Sequence, residues 1–169
     1  MIIFSTMMLA HELTPKQIAV LQTVRDVAKS IPDKNGKTYE NTLSAICLTE
    51  SSAGRDNIGD VKNKKHYTKG SFGAMQIQLR TARAICAQNE NLKWLNNLND
   101  LQLAGRLLGD IKLSAQIAAY YLVYLQNSRR DHFYAVSGYN GGYTNHKYYN
   151  KVMNNKKIIK NLVNNGKLS

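Results

Sequence analysis

The sequence has little of what would mark several protein classes: of its 169 residues two are cysteine, two proline, three phenylalanine and one tryptophan. Two cysteines cannot staple a small secreted scaffold, and Cys47 and Cys86 lack the Cys-x-x-Cys spacing of a zinc site. Both fall inside apolar helical patterns, so two buried free thiols are the first expectation and a single disulfide the second. With Pro15 and Pro32 alone there is no proline-rich linker, and the length suits one compact domain, 1–169, with its own core. Long apolar runs are also missing. The stretch Met1 to Ala10 is apolar but only about half the ~20 residues of a membrane span. It has neither the basic start nor the small-x-small cleavage site of an export signal. Segment 1–13 is therefore expected to pack on the domain.

Negative charge is the other scarcity. Against 23 Lys and Arg stand 11 Asp and Glu, a net +12, and no acidic residue follows Asp131. Solubility of a small domain needs only roughly 2–8 charges, so an anionic partner is expected. Nucleic acid, an anionic membrane surface and a carboxylate-rich wall polymer all carry the required sign. The lysines gather at Lys62, Lys64, Lys65 and Lys69 and again at Lys151, Lys156, Lys157 and Lys160. No zinc-finger spacing or RNA-recognition signature accompanies them, which disfavours nucleic acid.

What is present is helical periodicity. Thr14-Pro15 reads as an N-cap followed by proline at the first helical position, with Val20, Val24, Val27 and Ile31 on one stripe. A second helix starts near Asn41 and carries Leu43, Ile46 and Cys47. From Ser52 to Gly73 the glycines and lysines break the period, predicting loops or a short hairpin. Ala82, Ile85 and Cys86 mark another helix. Asn99-Asp100 caps the next, carrying Leu101, Ala104, Leu107, Leu108 and Ile111. Ser114 opens the clearest pattern, with Ile117, Ala118, Tyr121, Leu122 and Leu125 on the face of a central core helix. Phe133, Val136 and Asn140 form a short helix stopped by Gly141-Gly142, and Tyr148, Val152, Ile159 and Leu162 a basic last helix within 145–169. The fold class is mainly α: a single domain of about seven helices with a small loop or β-hairpin excursion between helices two and three.

Glu50 stands out within this pattern. It follows Leu43 by two helical turns, so it shares the apolar face and sits at the helix C-terminal end. Desolvation and the negative end of the helix dipole both favour the protonated carboxyl there, as a general acid cleaving an acetal requires. A salt-bridged or solvated helix-end Glu fits the same position.

Further blocks add specificity. Glu50-Ser51, then Gly73-Ala74-Met75-Gln76-Ile77, then Tyr139-Asn140-Gly141-Gly142 resemble, in order and approximate spacing, the Glu-Ser, Gly-Leu-Met-Gln and Tyr-Asn-Ala-Gly blocks of soluble lytic transglycosylases and goose-type lysozymes. The resemblance runs from Leu43 to Tyr149, about two-thirds of the chain. It implies a lysozyme-like fold and cleavage of the β-1,4 bond between N-acetylmuramic acid and N-acetylglucosamine in peptidoglycan, without cofactor or metal. Carried over, it makes Glu50 the catalytic acid, with Ser51 supporting it or touching sugar. Met75 and Gln76 line the cleft beside the cleaved bond. Tyr139 and Asn140 orient Glu50 and hold an N-acetyl group, and one of Tyr148 and Tyr149 is the aromatic of the last helix. Amide and hydroxyl side chains suit sugar hydroxyls and aromatic rings suit sugar faces, although core packing for Met75 and Tyr139 and helix capping for Asn140 fit equally.

Two chemistries remain open. An inverting hydrolase needs a second carboxylate, about 6.5–9.5 Å from the acid, to activate water. Asp60, in Gly59-Asp60, resembles that residue of goose-type lysozymes, but the place after the Met-Gln block where these often carry a further Asp is Gln78 here, and Asp56 and Asp60 also suit Asx turns. A lytic transglycosylase, the preferred reading, uses one Glu and leaves a 1,6-anhydro-muramic end. The expected partners are peptidoglycan glycan strands and, through the basic C-terminal region, anionic wall or outer-membrane surface. A monomer acting on the cell wall is expected, with a phage endolysin or virion-borne enzyme suggested by the compact chain.

Overall fold

The computed structural model describes residues 12–59 and 67–169. The expectations for Met1–Ala10 and for Asp60 lie outside those residues. Seven α-helices are described: α1 (Pro15–Lys29), α2 (Glu40–Ser51), α3 (Leu79–Gln88), α4 (Asp100–Gly109), α5 (Ile111–Ser128), α6 (His132–Tyr139) and α7 (His146–Asn164). Between α2 and α3 lie strands β1 (Ile58–Gly59), β2 (Ser71–Phe72) and β3 (Ile77–Gln78), and a 3-10 helix, Glu90–Asn97, links α3 to α4. The strands form one antiparallel sheet in the order β1-β2-β3, with Ile58 opposite Phe72 and Phe72 opposite Ile77. The sheet therefore runs beyond the predicted excursion and uses Ile77 as its last buried rung.

Local chemistry explains where the helices start. Thr14 and Gln17 form a reciprocal capping box at α1, and Asn99 and Gln102 another at α4. Asp131 and Asn145 accept backbone N–H bonds at the starts of α6 and α7. Two boundaries differ from the periodic reading. Asp110 accepts from the Leu113 N–H at 2.9 Å, so α5 begins at Ile111 rather than Ser114, and Ile111 leaves the stripe assigned to α4. Leu101, also assigned to that stripe, is 70% exposed, because the buried face of α4 is Leu103, Ala104 and Leu107.

Helix α5 is the axis of the core. Ala115, Ile117, Ala118, Ala119, Leu122 and Leu125 are buried along it, and α1, α3, α4 and α6 pack around it. The alanines let neighbouring backbones approach closely. Helix α7 lies mainly against α2, with Val152 and Ile159 fully buried. Cys47 and Cys86 are free and buried, and burial pushes their thiols up to about 12 and about 11. Among the described residues no helix is long and apolar enough to cross a membrane.

One glycine ties the sheet to the core. Gly73 has a φ of 77°, and a Cβ placed on it would run into the Leu107 carbonyl oxygen of α4 and crowd the Ser114 hydroxyl. Gly73→Ala should therefore cost at least about 2–3 kcal/mol, from left-handed backbone strain and steric overlap together. A urea midpoint equal to that of the wild type would contradict this.

Candidate active site

A cleft of about 470 Å³ opens between the end of α2, the small sheet, the start of α3, and the α5 and α6 helices. Glu50 lines it, as do Gly59, Gln76, Gln78, Tyr139 and Asn140. Glu50 is partly buried, in the last turn of α2. The Tyr148 hydroxyl of α7 donates to Glu50 Oε1 at 2.5 Å, across 98 positions of sequence.

The backbone around Glu50 is unusual. Ser52, Ala53 and Gln76 are the described non-glycine residues with positive φ, at 52°, 56° and 48°. Gln76 lines the cleft, and Ser52 and Ala53 directly follow the end of α2 that carries Glu50. Such conformations cost roughly 1–3 kcal/mol each and persist where surrounding bonds over-determine them. Here the bonds can be named. Ser51 Oγ donates to the Ala74 carbonyl at 2.6 Å and accepts from the Gly54 N–H at 2.8 Å. Gln17 Nε2 donates to the Ser52 carbonyl at 2.8 Å. The Gln76 side chain donates to the Gly73 carbonyl at 2.9 Å and the Asp56 carbonyl at 3.3 Å. Tyr139 Oη donates to the Met75 carbonyl at 3.0 Å.

These contacts sort the candidate residues. Glu50, Gln76, Tyr139, Asn140 and Tyr148 are brought together. Ser51 is 1% exposed and its hydroxyl is engaged by the Ala74 carbonyl and the Gly54 N–H, so its side chain is buried rather than open to a sugar. Met75 is 0% exposed, so its side chain is core rather than cleft lining, and its carbonyl is what matters. The Tyr139 proton is committed to Met75, and Tyr148 is the hydroxyl that bonds Glu50. Tyr149, about 100° further round α7 from Tyr148, packs edge-on against Phe133 at 5.0 Å and near His132. Between the two tyrosines the geometry thus selects Tyr148. Asn140 is exposed at the C-cap of α6 and also lines the cleft, so its two readings coexist.

The family model for the transglycosylase SLT domain matches residues 30–162. The chain belongs to that family. Comparison with curated proteins found no match, and comparison with solved structures found none either. Members of the SLT family are peptidoglycan lytic transglycosylases, enzymes that cleave glycosidic bonds in the wall polymer.

In this SLT domain the two tyrosines near the acid are kept as neutral phenols. Burial first, and the Glu50 charge second, push both the Tyr148 and the Tyr139 hydroxyls far above the ordinary range. Tyr148 therefore remains a donor to Glu50 at any working pH. Arg80, Thr81 and Tyr121 also line the cleft and were not singled out from the sequence. Arg80 and Thr81 follow the Met-Gln block after Gln78 and Leu79, and that proximity was the available signal. Tyr121 was read as core, but it donates to the Gly138 carbonyl at 3.0 Å and its ring meets Tyr139 at 5.3 Å. Replacing Tyr148 by Phe keeps the ring and removes the donor. Activity on peptidoglycan should fall about 10- to 100-fold in kcat with KM little changed, since a charge-assisted bond to the carboxylate of the cleft is lost. Unaltered kcat would show that the bond has no catalytic weight.

Proposed function

We propose that this SLT domain acts as a lytic transglycosylase with Glu50 as its acid and base. Glu50 protonates the oxygen linking C1 of N-acetylmuramic acid to N-acetylglucosamine, and that bond breaks. The muramic N-acetyl oxygen stabilises the cationic C1. The 6-hydroxyl of the same sugar then closes on C1 and returns its proton to Glu50, leaving a 1,6-anhydro end. In this reading Gln76, through the Oε1 left over when its amide nitrogen bonds the Gly73 and Asp56 carbonyls, and Asn140 bond sugar amide and hydroxyl groups, and Tyr139 and Tyr148 hold the acid and its surroundings in register. The observation that carries this reading is that Glu50, bonded by Tyr148, is the one carboxylate among the described residues lining the cleft. The position after Ile77 is the uncharged Gln78, at the exposed rim.

An inverting hydrolase is the second reading, supported by Gly59 in the cleft wall, which precedes Asp60 in sequence. Mass spectrometry of digested sacculi separates the two, because anhydro ends are lighter than reducing ends by one water. Glu50→Gln should lose about 10²–10⁴-fold in rate in either case, and Asp60→Asn should stay active and keep releasing anhydro ends. Reducing ends that vanish in Asp60→Asn would establish the hydrolase instead.

The lysines of α7, Lys147, Lys151, Lys156, Lys157 and Lys160, are proposed to hold a monomeric enzyme on anionic wall or outer-membrane surface. Such attraction is screened within about 8 Å at physiological salt. Lysis of whole sacculi should fall steeply as salt is raised, and a flat profile would remove this role.

A further inference from the structure

The loop before α2 and the second half of α7 meet over a cavity of about 410 Å³ that shares no lining residue with the cleft. It lies at the first turn of α2, whereas Glu50 lies in the last, about 15 Å along the same helix. Three lysines line it, Lys37 from the loop and Lys156 and Lys160, one turn apart, from α7. Lys37 and Lys160 are exposed and Lys156 is half-buried. None of the three has an ion pair among the described residues, and Lys37 Nζ lies 5.3 Å over the Tyr39 ring. The cluster is costly as it stands: burial first, then the charges of Lys160 and Lys37, hold Lys156 below the ordinary lysine range. An anion among the three would turn that repulsion into attraction.

The rest of the wall does little to offset them. Glu40 is the one carboxylate among the described lining residues; its Oε2 accepts from the Thr38 hydroxyl at 2.7 Å, and it also feels the Arg25 and Lys29 charges. His132 is neutral near pH 7, since burial and the Lys156 and Lys37 charges push it down to about 4. Its Nδ1 bonds the Gln126 amide at 2.8 Å, and its buried Nε2 has no described partner. Three lysines against one carboxylate leave two positive charges around the cavity. Lysine ammoniums are compact point charges with three donors each, which suits a tetrahedral oxyanion. Planar, bidentate recognition of a carboxylate favours arginine, and no arginine is among the described lining residues. We propose that this cavity binds a phosphomonoester dianion, free or at the head of a membrane lipid, with Lys37, Lys156 and Lys160 as its ligands. For its use the site rests on the surface-holding reading of the α7 lysines above; the binding chemistry does not.

Calorimetry with inorganic phosphate tests the site, at fixed ionic strength in chloride and at about pH 7.5, where a second pKa of about 6 leaves phosphate mainly dianionic. Wild type should bind one phosphate with a Kd on the order of 1 mM, and Lys37→Gln combined with Lys160→Gln should weaken this at least about tenfold, or about 1.4 kcal/mol. Lys147→Gln combined with Lys157→Gln removes the same charge from α7 outside the cavity and should stay within about twofold, because screening weakens distant charges. Without phosphate the cavity pair of substitutions should melt no lower than wild type, since repulsion around Lys156 is relieved. Vesicles of phosphatidic acid in phosphatidylcholine that retain wild type, and release it to added phosphate, assign the site to a lipid headgroup. Phosphate binding without vesicle retention assigns it to free phosphate. No binding beyond that of chloride, or equal weakening by both pairs of substitutions, would overturn the site. A flat salt profile of lysis with phosphate binding intact would remove the surface-holding role and leave the site standing.

Discussion

The carbonyl oxygens of Ala74 and Met75 accept hydroxyl protons from Ser51 and from Tyr139, at 2.6 and 3.0 Å, and the cleft is built around that pair of bonds. The donors come from different helices, α2 and α6, and the acceptors from the turn between β2 and β3. Each bond is buried, so leaving either partner unsatisfied costs on the order of 1–3 kcal/mol. Three distant pieces of chain are thereby held at one point. The end of α2 cannot move relative to the sheet without releasing Ser51, and the sheet cannot move relative to α6 without releasing Tyr139.

The strained residues follow from this constraint. Ser52 and Ala53 must turn the chain sharply away from α2 so that Ser51 can reach Ala74, and Gln76 must take a positive φ so that its side chain folds back on Gly73 and Asp56. The strain is concentrated within two or three residues of Glu50 and on the facing wall of the cleft. The carboxylate therefore sits on a rigid mount, and its partner Tyr148 arrives from α7, itself packed along α2. Because α7 and α2 share a buried face, the bond between Tyr148 and Glu50 is a consequence of core packing as much as of the site.

Most helices were legible because their apolar stripes and caps are local signals. Thr14 and Asn99 mark starts that the structure keeps, and Val20, Val24 and Val27 are buried as their spacing requires. The misread boundary between α4 and α5 has a local cause as well. Asp110 breaks one helix and caps the next in the middle of a continuous apolar period, so periodicity alone runs through it. The sheet was half legible, since two-residue strands are too short to carry an alternating pattern.

Within the site, the sequence by itself determined which residues could do the chemistry: the blocks around Glu50, Gln76 and Tyr139, in an order that marks the family. Residue type and order are sufficient for that, because an acid, an amide and a phenol have intrinsic chemistry. Only the tertiary structure decided which of them face the cleft. Ser51 and Met75 turned inward, Tyr148 rather than Tyr149 reached the acid, and Arg80 and Tyr121 joined the wall. Those outcomes depend on how helices far apart in sequence pack and which way each side chain leaves its backbone, and spacing along one chain does not encode that.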